Sequence, residues 1–293
     1  MSQQIRITHY YHSGFSIEWE QVLFVFDYWR GENHELPPEK EIQPEMISRY
    51  RQVYVFITHE HADHLDPIVF TWKDYGKVNY IVSADMPVGT RGKRMAVGDQ
   101  MELISGVWVK AFDSTDLGVS FLLDLKGLHI FHAGDLNFWH WREESTLKEI
   151  EEAEEEFRRA VSPLPKEKID IAFFPVDPRQ GTMFEAGANY FILSVKPRLF
   201  IPMHYFRRAE VIMEYARTAS NAATEVLAMV GLGDRIQVEQ GEDGYLTISF
   251  PKDDEISVDL LDPDGENPFD ETDLPLSQLV ENEENRNPSD FST

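Results

Sequence analysis

Residues His59-Glu60-His61-Ala62-Asp63-His64 place three of the chain's 10 histidines and an aspartate within six positions. They follow directly on Val53–Thr58 (VYVFIT), an unbroken apolar run of strand length. Such a run reads as a strand buried on both faces, and strands of that kind lie in sheets covered by other layers. In open α/β sheets, ligands bind in the loops at the carboxyl ends of the strands. The chain must therefore fold so that a covered sheet presents a histidine-rich loop at its edge. Neutral imidazole is the commonest metal-binding side chain, and aspartate adds a hard oxygen. His59 and His61 point the same way on extended backbone. Asp63 and His64 precede Leu65-Asp66-Pro67, a turn into a helix, and a bend there would turn the second pair toward a second ion. The alternative, a chance cluster on a surface loop, fits poorly with so few histidines in the whole chain.

The rest of residues 1–250 interleaves short apolar runs with helical stretches, which predicts a layered α/β domain. Ile5–Thr8, Phe15–Trp19 and Val22–Phe26 read as an opening β-meander. Further strands are expected at Tyr80–Ser83, Val107–Phe112, Ile169–Val176, Pro197–Met203 and Gly244–Phe250, and Val119–Leu125 and Leu128–His132 form a hairpin about Lys126-Gly127. Helices are expected at Arg142–Val161, Phe184–Leu193 and Glu210–Ser220; the Glu-rich first one reads as a solvated face paired with Lys148, Arg158 and Arg159. No internal repeat of fixed period is visible.

After Pro251 the pattern breaks. From Lys252 to Thr293 there are 14 Asp/Glu against 2 Lys/Arg, with Pro, Gly and Asn throughout. This segment cannot bury enough apolar surface to offset ordering, so the expected organisation is a folded domain over 1–251 and a largely disordered acidic tail over 252–293. The net charge of −25 repels phosphate backbones, so no nucleic-acid partner is expected. No apolar run approaches membrane-spanning length, and the start of the chain does not read as a signal peptide. A cytoplasmic location and a small-molecule substrate fit these features, and a homo-oligomer remains open. The chain has no cysteine, so any metal is held by imidazole and carboxylate alone.

The hexapeptide resembles the HxHxDH signature of the metallo-β-lactamase superfamily. Phe26-Asp27 resembles the aspartate that closes the first meander in that family, His132-Ala133-Gly134-Asp135 its "hxGD" segment, and Pro202-Met203-His204 its last metal-binding histidine. Tyr11-His12-Ser13-Gly14-Phe15 and the HAGD form resemble the branch that contains ascorbate-6-phosphate lactonase and related Zn-dependent hydrolases. The resemblance spans roughly residues 5–206. It implies a four-layer αββα sandwich and a centre for one or two divalent ions, zinc or manganese. His59 and His61 would hold the first ion, Asp63, His64 and His204 the second, and Asp135 would bridge, with Asp27 orienting an imidazole. The chain departs from the family in one place. The third histidine of the first ion should lie in Phe112–Gly118, which holds none. Either Asp116 substitutes as an oxygen ligand, which would favour manganese over zinc, or the first site is weak or empty.

The implied chemistry is hydrolysis by a metal-activated hydroxide, with Asp63 and Asp135 in the catalytic set; His140, just beyond Asp135 in sequence, reads as a proton donor or a substrate contact. The substrate would be a small, anionic ester, lactone or phosphoester. Around the site, His12, Asn137, Trp139, Arg179 and Tyr205 are candidate substrate contacts, Arg179 through an anionic group. His132 reads as a packed histidine rather than a ligand. A nuclease, a metal-binding protein of the same fold with lost turnover, and a di-iron oxidoreductase are the competing functions.

Overall fold

The computed structural model describes residues 3–251; the expected acidic tail lies outside the described residues. Six strands open the chain: β1 (Gln3–His9), β2 (Phe15–Trp19), β3 (Val22–Phe26), β4 (Gln52–Ile57), β5 (Val78–Ser83) and β6 (Lys93–Met95). Seven more follow: β7 (Gln100–Ile104), β8 (Val107–Phe112), β9 (Ser120–Leu125), β10 (Leu128–His132), β11 (Ile171–Pro175), β12 (Leu199–Met203) and β13 (Glu225–Val226). The chain then returns to the first sheet with β14 (Arg235–Gln240) and β15 (Leu246–Ser249), giving the orders β15-β14-β1-β2-β3-β4-β5-β6 and β13-β12-β11-β10-β9-β8-β7. Both sheets are built the same way. An antiparallel meander runs into parallel strands, at β3-β4-β5-β6 in one sheet and β10-β11-β12-β13 in the other. The topology thus repeats without a sequence repeat.

Side-chain alternation builds the layers. On β3, Phe24 and Phe26 belong to the large core while Leu23 and Val25 face a smaller one; on β4, Tyr54 and Phe56 split in the same way from Val53, Val55 and Ile57. The large core holds the sheets together: Phe15 meets Phe173 at 4.4 Å and Phe56 meets Phe121 at 5.4 Å between ring centroids. The smaller core lies under helix α1 (Pro44–Arg49) and a 3-10 helix at Pro67–Asp74, which supply Ile47, Val69 and Trp72. On the second sheet, Phe174 turns the opposite way from Phe173 and packs on Phe191. That residue belongs to α3 (Ala186–Val195), which covers the outer face with α2 (Leu147–Val161) and α4 (Ala209–Ala219). The layers are therefore helix, sheet, sheet, helix, and the αββα expectation holds.

Several boundaries differ from expectation for local reasons. Helix α2 starts at Leu147 rather than Arg142 because Thr146 and Glu149 form a reciprocal capping box. Residues 142–145 are instead tied into turns by Glu144 and Ser145 N–H bonds to Trp141 O. The hairpin at Lys126-Gly127 has φ of 50° and 100°, as a type I′ turn requires. Strands β6, β7, β13 and β14 and helix α1 escaped the sequence reading; β6 and β7 are largely exposed or half-buried and show no clean apolar period.

Candidate metal centre

The parallel strands end together, and the candidate ligands sit at those ends. Asp27 follows β3, residues 59–64 follow β4, Asp135 follows β10, Asp177 follows β11 and His204 follows β12. Two turns reach in from the antiparallel halves: Tyr10–Gly14 between β1 and β2, carrying His12, and 113–119 between β8 and β9, carrying Asp116. Glycine lets these backbones meet. A Cβ on Gly118 (φ +81°) would lie 1.9 Å from Thr58 O, and one on Gly134 (φ +55°) 2.9 Å from Thr58 Cβ.

Asp135 is the hub. Its carboxylate lies 2.9 Å from His64 Nε2, 3.3 Å from His59 Nε2, 3.3 Å from His204 Nε2 and 3.9 Å from His61 Nδ1. These contacts are short, yet among the described residues His59 Nε2, His64 Nε2, His204 Nε2 and Asp135 Oδ1 are buried with no partner in hydrogen-bond geometry. Buried polar atoms are nearly always satisfied, so polar atoms converging in this way make a candidate cation site. Three donor sets, each with its ligand atoms within 4.8 Å of one another, share these residues: His59, His64 and Asp135; His61, Asp116 and Asp135; and His12, Asp63, His64 and His204. Hard oxygens and imidazoles without thiolate suit a divalent cation. The residues present fit the ions that the fold implies.

The opposite ring nitrogens are anchored. Asp27, fully buried, accepts from Thr58 N (2.9 Å), Thr58 Oγ1 (2.6 Å) and His64 Nδ1 (2.8 Å). His59 Nδ1 lies 3.0 Å from Thr58 Oγ1. His204 Nδ1 lies 3.0 Å from Asp177 Oδ2, and Arg179 grips that carboxylate through Nε and Nη2. Such outer partners fix tautomer and ring orientation and raise ligand basicity. Burial pushes the Asp27 carboxyl up, but its hydrogen bond to His64 and the charges of His64, His132 and His59 outweigh that and hold it below the usual range. The same contest brings Asp177 down to about 2: burial raises it, and the bonds from His204 and Arg179 more than offset this. His12, Asp27, His204 and Phe206 all sit at positive φ (56°, 42°, 66° and 49°), an uncommon conformation for residues other than glycine that concentrates at functional sites.

The sequence-derived metal set, His59, His61, Asp63, His64, Asp116, Asp135 and His204, comes together. Asp116 groups with His61 and Asp135. Trp139 packs on His204 (5.3 Å) and donates through Nε1 to Asp135 O. Asn137 is fully buried; its backbone N–H donates to Thr115 Oγ1 and its side-chain amide has no partner. Three expectations need correcting. Tyr205 is no rim residue: it is buried, and its hydroxyl donates to Met229 O. Arg179 is not an uncommitted anion receptor, since Asp177 engages its guanidinium, which lies over the Phe206 ring at 4.1 Å. His140 stands outside the converging donors. One ring nitrogen meets Met183 O and the other accepts from Arg142 N–H, so the ring ties two loops together. His132 is a packed residue as expected, with Nε2 on Ser13 O and its ring stacked on Phe26. The sequence reading missed Asp177, Thr58 and Phe206. Asp177 carried a signal, because it ends a buried strand immediately before the Pro-Arg turn.

No protein-family model matches the chain. It is 23% identical over 216 residues to a metal-dependent hydrolase of Pyrobaculum neutrophilum, covering 69% of this chain and 84% of that one. Among solved structures, a metallohydrolase from the hyperthermophilic archaeon Ignicoccus hospitalis superposes with a TM-score of 0.58 at 17% identity, over 80% of this chain and 98% of that one. The metallo-β-lactamase fold protein YhfI of Bacillus subtilis superposes with a TM-score of 0.52 at 11% identity, over 84% of this chain and 100% of that one. The fold of this chain is that of the metallo-β-lactamase superfamily, as its motifs implied.

Proposed function

We propose that the chain is a two-metal hydrolase acting on a small, anionic ester, lactone or phosphoester. One observation carries this reading: the unpartnered, buried Nε2 atoms of His59, His64 and His204 converge on the buried Asp135 carboxylate. Divalent ions bound there supply Lewis acidity, lowering the pKa of a water from about 15.7 toward about 7. The chain's own residues hold that centre. Asp135, shared between donor sets, fixes their spacing, while Asp27 and Asp177 lock the two imidazoles they touch. Trp139 and Phe206, with ring centroids 5.3 and 5.9 Å from that of His204, help to restrict solvent there. An oxygen donor at Asp116 favours manganese on the His61 side.

An anionic group would suit the Lys73 and Arg91 side chains in a groove of about 430 Å³ that begins at Glu60 of the hexapeptide, although no candidate metal ligand lines that groove. The strongly acidic chain opposes a long polyanion, so a small molecule is favoured over nucleic acid. The test is hydrolysis of an ester, lactone, thioester and phosphodiester panel by protein stripped with chelator and then reloaded with Zn²⁺ or Mn²⁺. Activity lost on stripping and regained on reloading is expected. Hydrolysis indifferent to exhaustive chelation, or a reloaded protein inert across the panel, overturns the reading. Iron in the purified protein with visible absorbance would point instead to an oxidoreductase.

A further inference from the structure

His12 lies on the turn between β1 and β2, far in sequence from the hexapeptide, from Asp135 and from His204, yet it is fully buried. Among the described residues Nδ1 has no hydrogen-bond partner, and Nε2 has only Asp63 Oδ2 at 3.3 Å, outside hydrogen-bond geometry. A buried polar group left in that state costs about 1–3 kcal/mol, so the position is expensive unless something outside the chain satisfies it. Its surroundings are the candidate ligands themselves. Nε2 is 3.3 Å from Asp63 Oδ2, its ring centroid is 4.0 Å from that of His204 and 5.7 Å from that of His64. One ligand atom each from His12, Asp63, His64 and His204 lies within 4.8 Å of the others. Donors about 2.1 Å from a common ion stand roughly 3.4–4.2 Å apart, so small side-chain shifts complete the shell.

The backbone supports the same conclusion. His12 adopts φ +56°, where glycine or asparagine would be cheaper. The turn is closed by Tyr10 N–H to Gly14 O and Gly14 N–H to Tyr11 O, and the His12 carbonyl accepts from His204 N–H. The loop thus presses His12 directly against a candidate ligand, and nothing in the turn itself calls for an imidazole.

We infer that His12 is a metal ligand, supplying a fourth protein donor to the ion held by Asp63, His64 and His204. This rests on the two-metal reading above and deepens it. The two ions become unequal, the second enclosed by three imidazoles and a carboxylate, the first served by His59, His61 and the exposed Asp116. His12 would compensate, at the second ion, for the imidazole missing at the first.

The test uses full-length His12→Gly, which suits φ +56° and removes only the ring. Co²⁺ is titrated into metal-free protein and followed by its visible absorption and by chelator competition. Wild type should take up two equivalents. In the variant, one equivalent should weaken by tenfold or more with an altered spectrum, and free imidazole should restore the wild-type spectrum by entering the vacated space. His12→Asn, which also tolerates positive φ, should show the same weakening and covers the case in which the glycine variant does not fold. Wild-type affinity and spectrum in the variants, with no response to imidazole, overturn the inference and leave the two-metal reading standing. Failure of wild type to bind Co²⁺ overturns both.

Discussion

Asp177→Asn isolates the role of a carboxylate that belongs to no candidate donor set but orients a member of one. Asp177 is fully buried, takes the Nδ1 side of His204 at 3.0 Å and is held by Arg179. Asparagine keeps the shape and can still accept one hydrogen bond, but the charge that makes His204 a better donor is gone. Loss of such an outer partner typically weakens metal affinity by about 10–100-fold, or roughly 1.4–2.8 kcal/mol. Because the amide remains an acceptor, the lower end is expected, with Asp177→Ala at the upper end. Chelator competition measures it directly. A second consequence concerns acid stability of the metal-free protein. The Asp177 carboxyl is lowered from 3.8 to about 2 in the fold. Its stabilisation is therefore complete above about pH 4 and is lost as pH falls toward 2. The size is at most about 2 kcal/mol, less after screening at the half-exposed Arg179. The Asn variant should lack that part of the acid slope. Unchanged metal affinity in both variants would refute the claim that Asp177 tunes His204.

Other perturbations test other parts of the account. Gly118→Ala places a Cβ against Thr58 O at φ +81° and should cost about 2 kcal/mol or more, lowering the Tm of metal-free protein by about 4–8 °C; an unchanged Tm would contradict the close approach. Tyr205→Phe removes only the bond to Met229 O, so stability should fall by about 1 kcal/mol with no change in KM. A changed KM would return Tyr205 to the rim. Asp116→Ala should release the ion on the His61 side while sparing the other, read as a drop from two bound equivalents to one. In the metal-free protein, burial opposes a charge on His64, but Asp135 and Asp27 prevail and hold its pKa well above 6.5. Metal must displace that proton, so affinity should rise with pH above 7 and calorimetry in buffers of different ionisation enthalpy should register proton release.

The centre was legible where chemistry is local in sequence. His59 to His64 needed only the preceding apolar run to be placed at a strand end, and HAGD and Met203-His204 follow strands that read plainly as buried. What escaped was contact between loops that are distant in sequence. Nothing near Asp177 in sequence says that it meets His204, because the pairing arises only when β11 and β12 lie side by side. Tyr205 adjoins a candidate ligand, but His204 and Phe206 both have positive φ, and the kinked backbone turns the tyrosine into the core. His140 sits close to Asp135 in sequence, yet the loop directs its ring toward Met183. The doubled sheet topology left no trace at all, since it needs only matching burial patterns rather than matching residues.

Metal content decides most directly whether these side chains form one two-ion centre. Equilibrium dialysis of the full chain against Zn²⁺ or Mn²⁺ should leave two equivalents per chain, and Asp135→Ala, which removes the carboxylate shared by two of the three donor sets, should retain one or none. A wild-type protein that keeps no metal, or an Asp135→Ala variant that keeps two ions with undiminished affinity, would contradict the account.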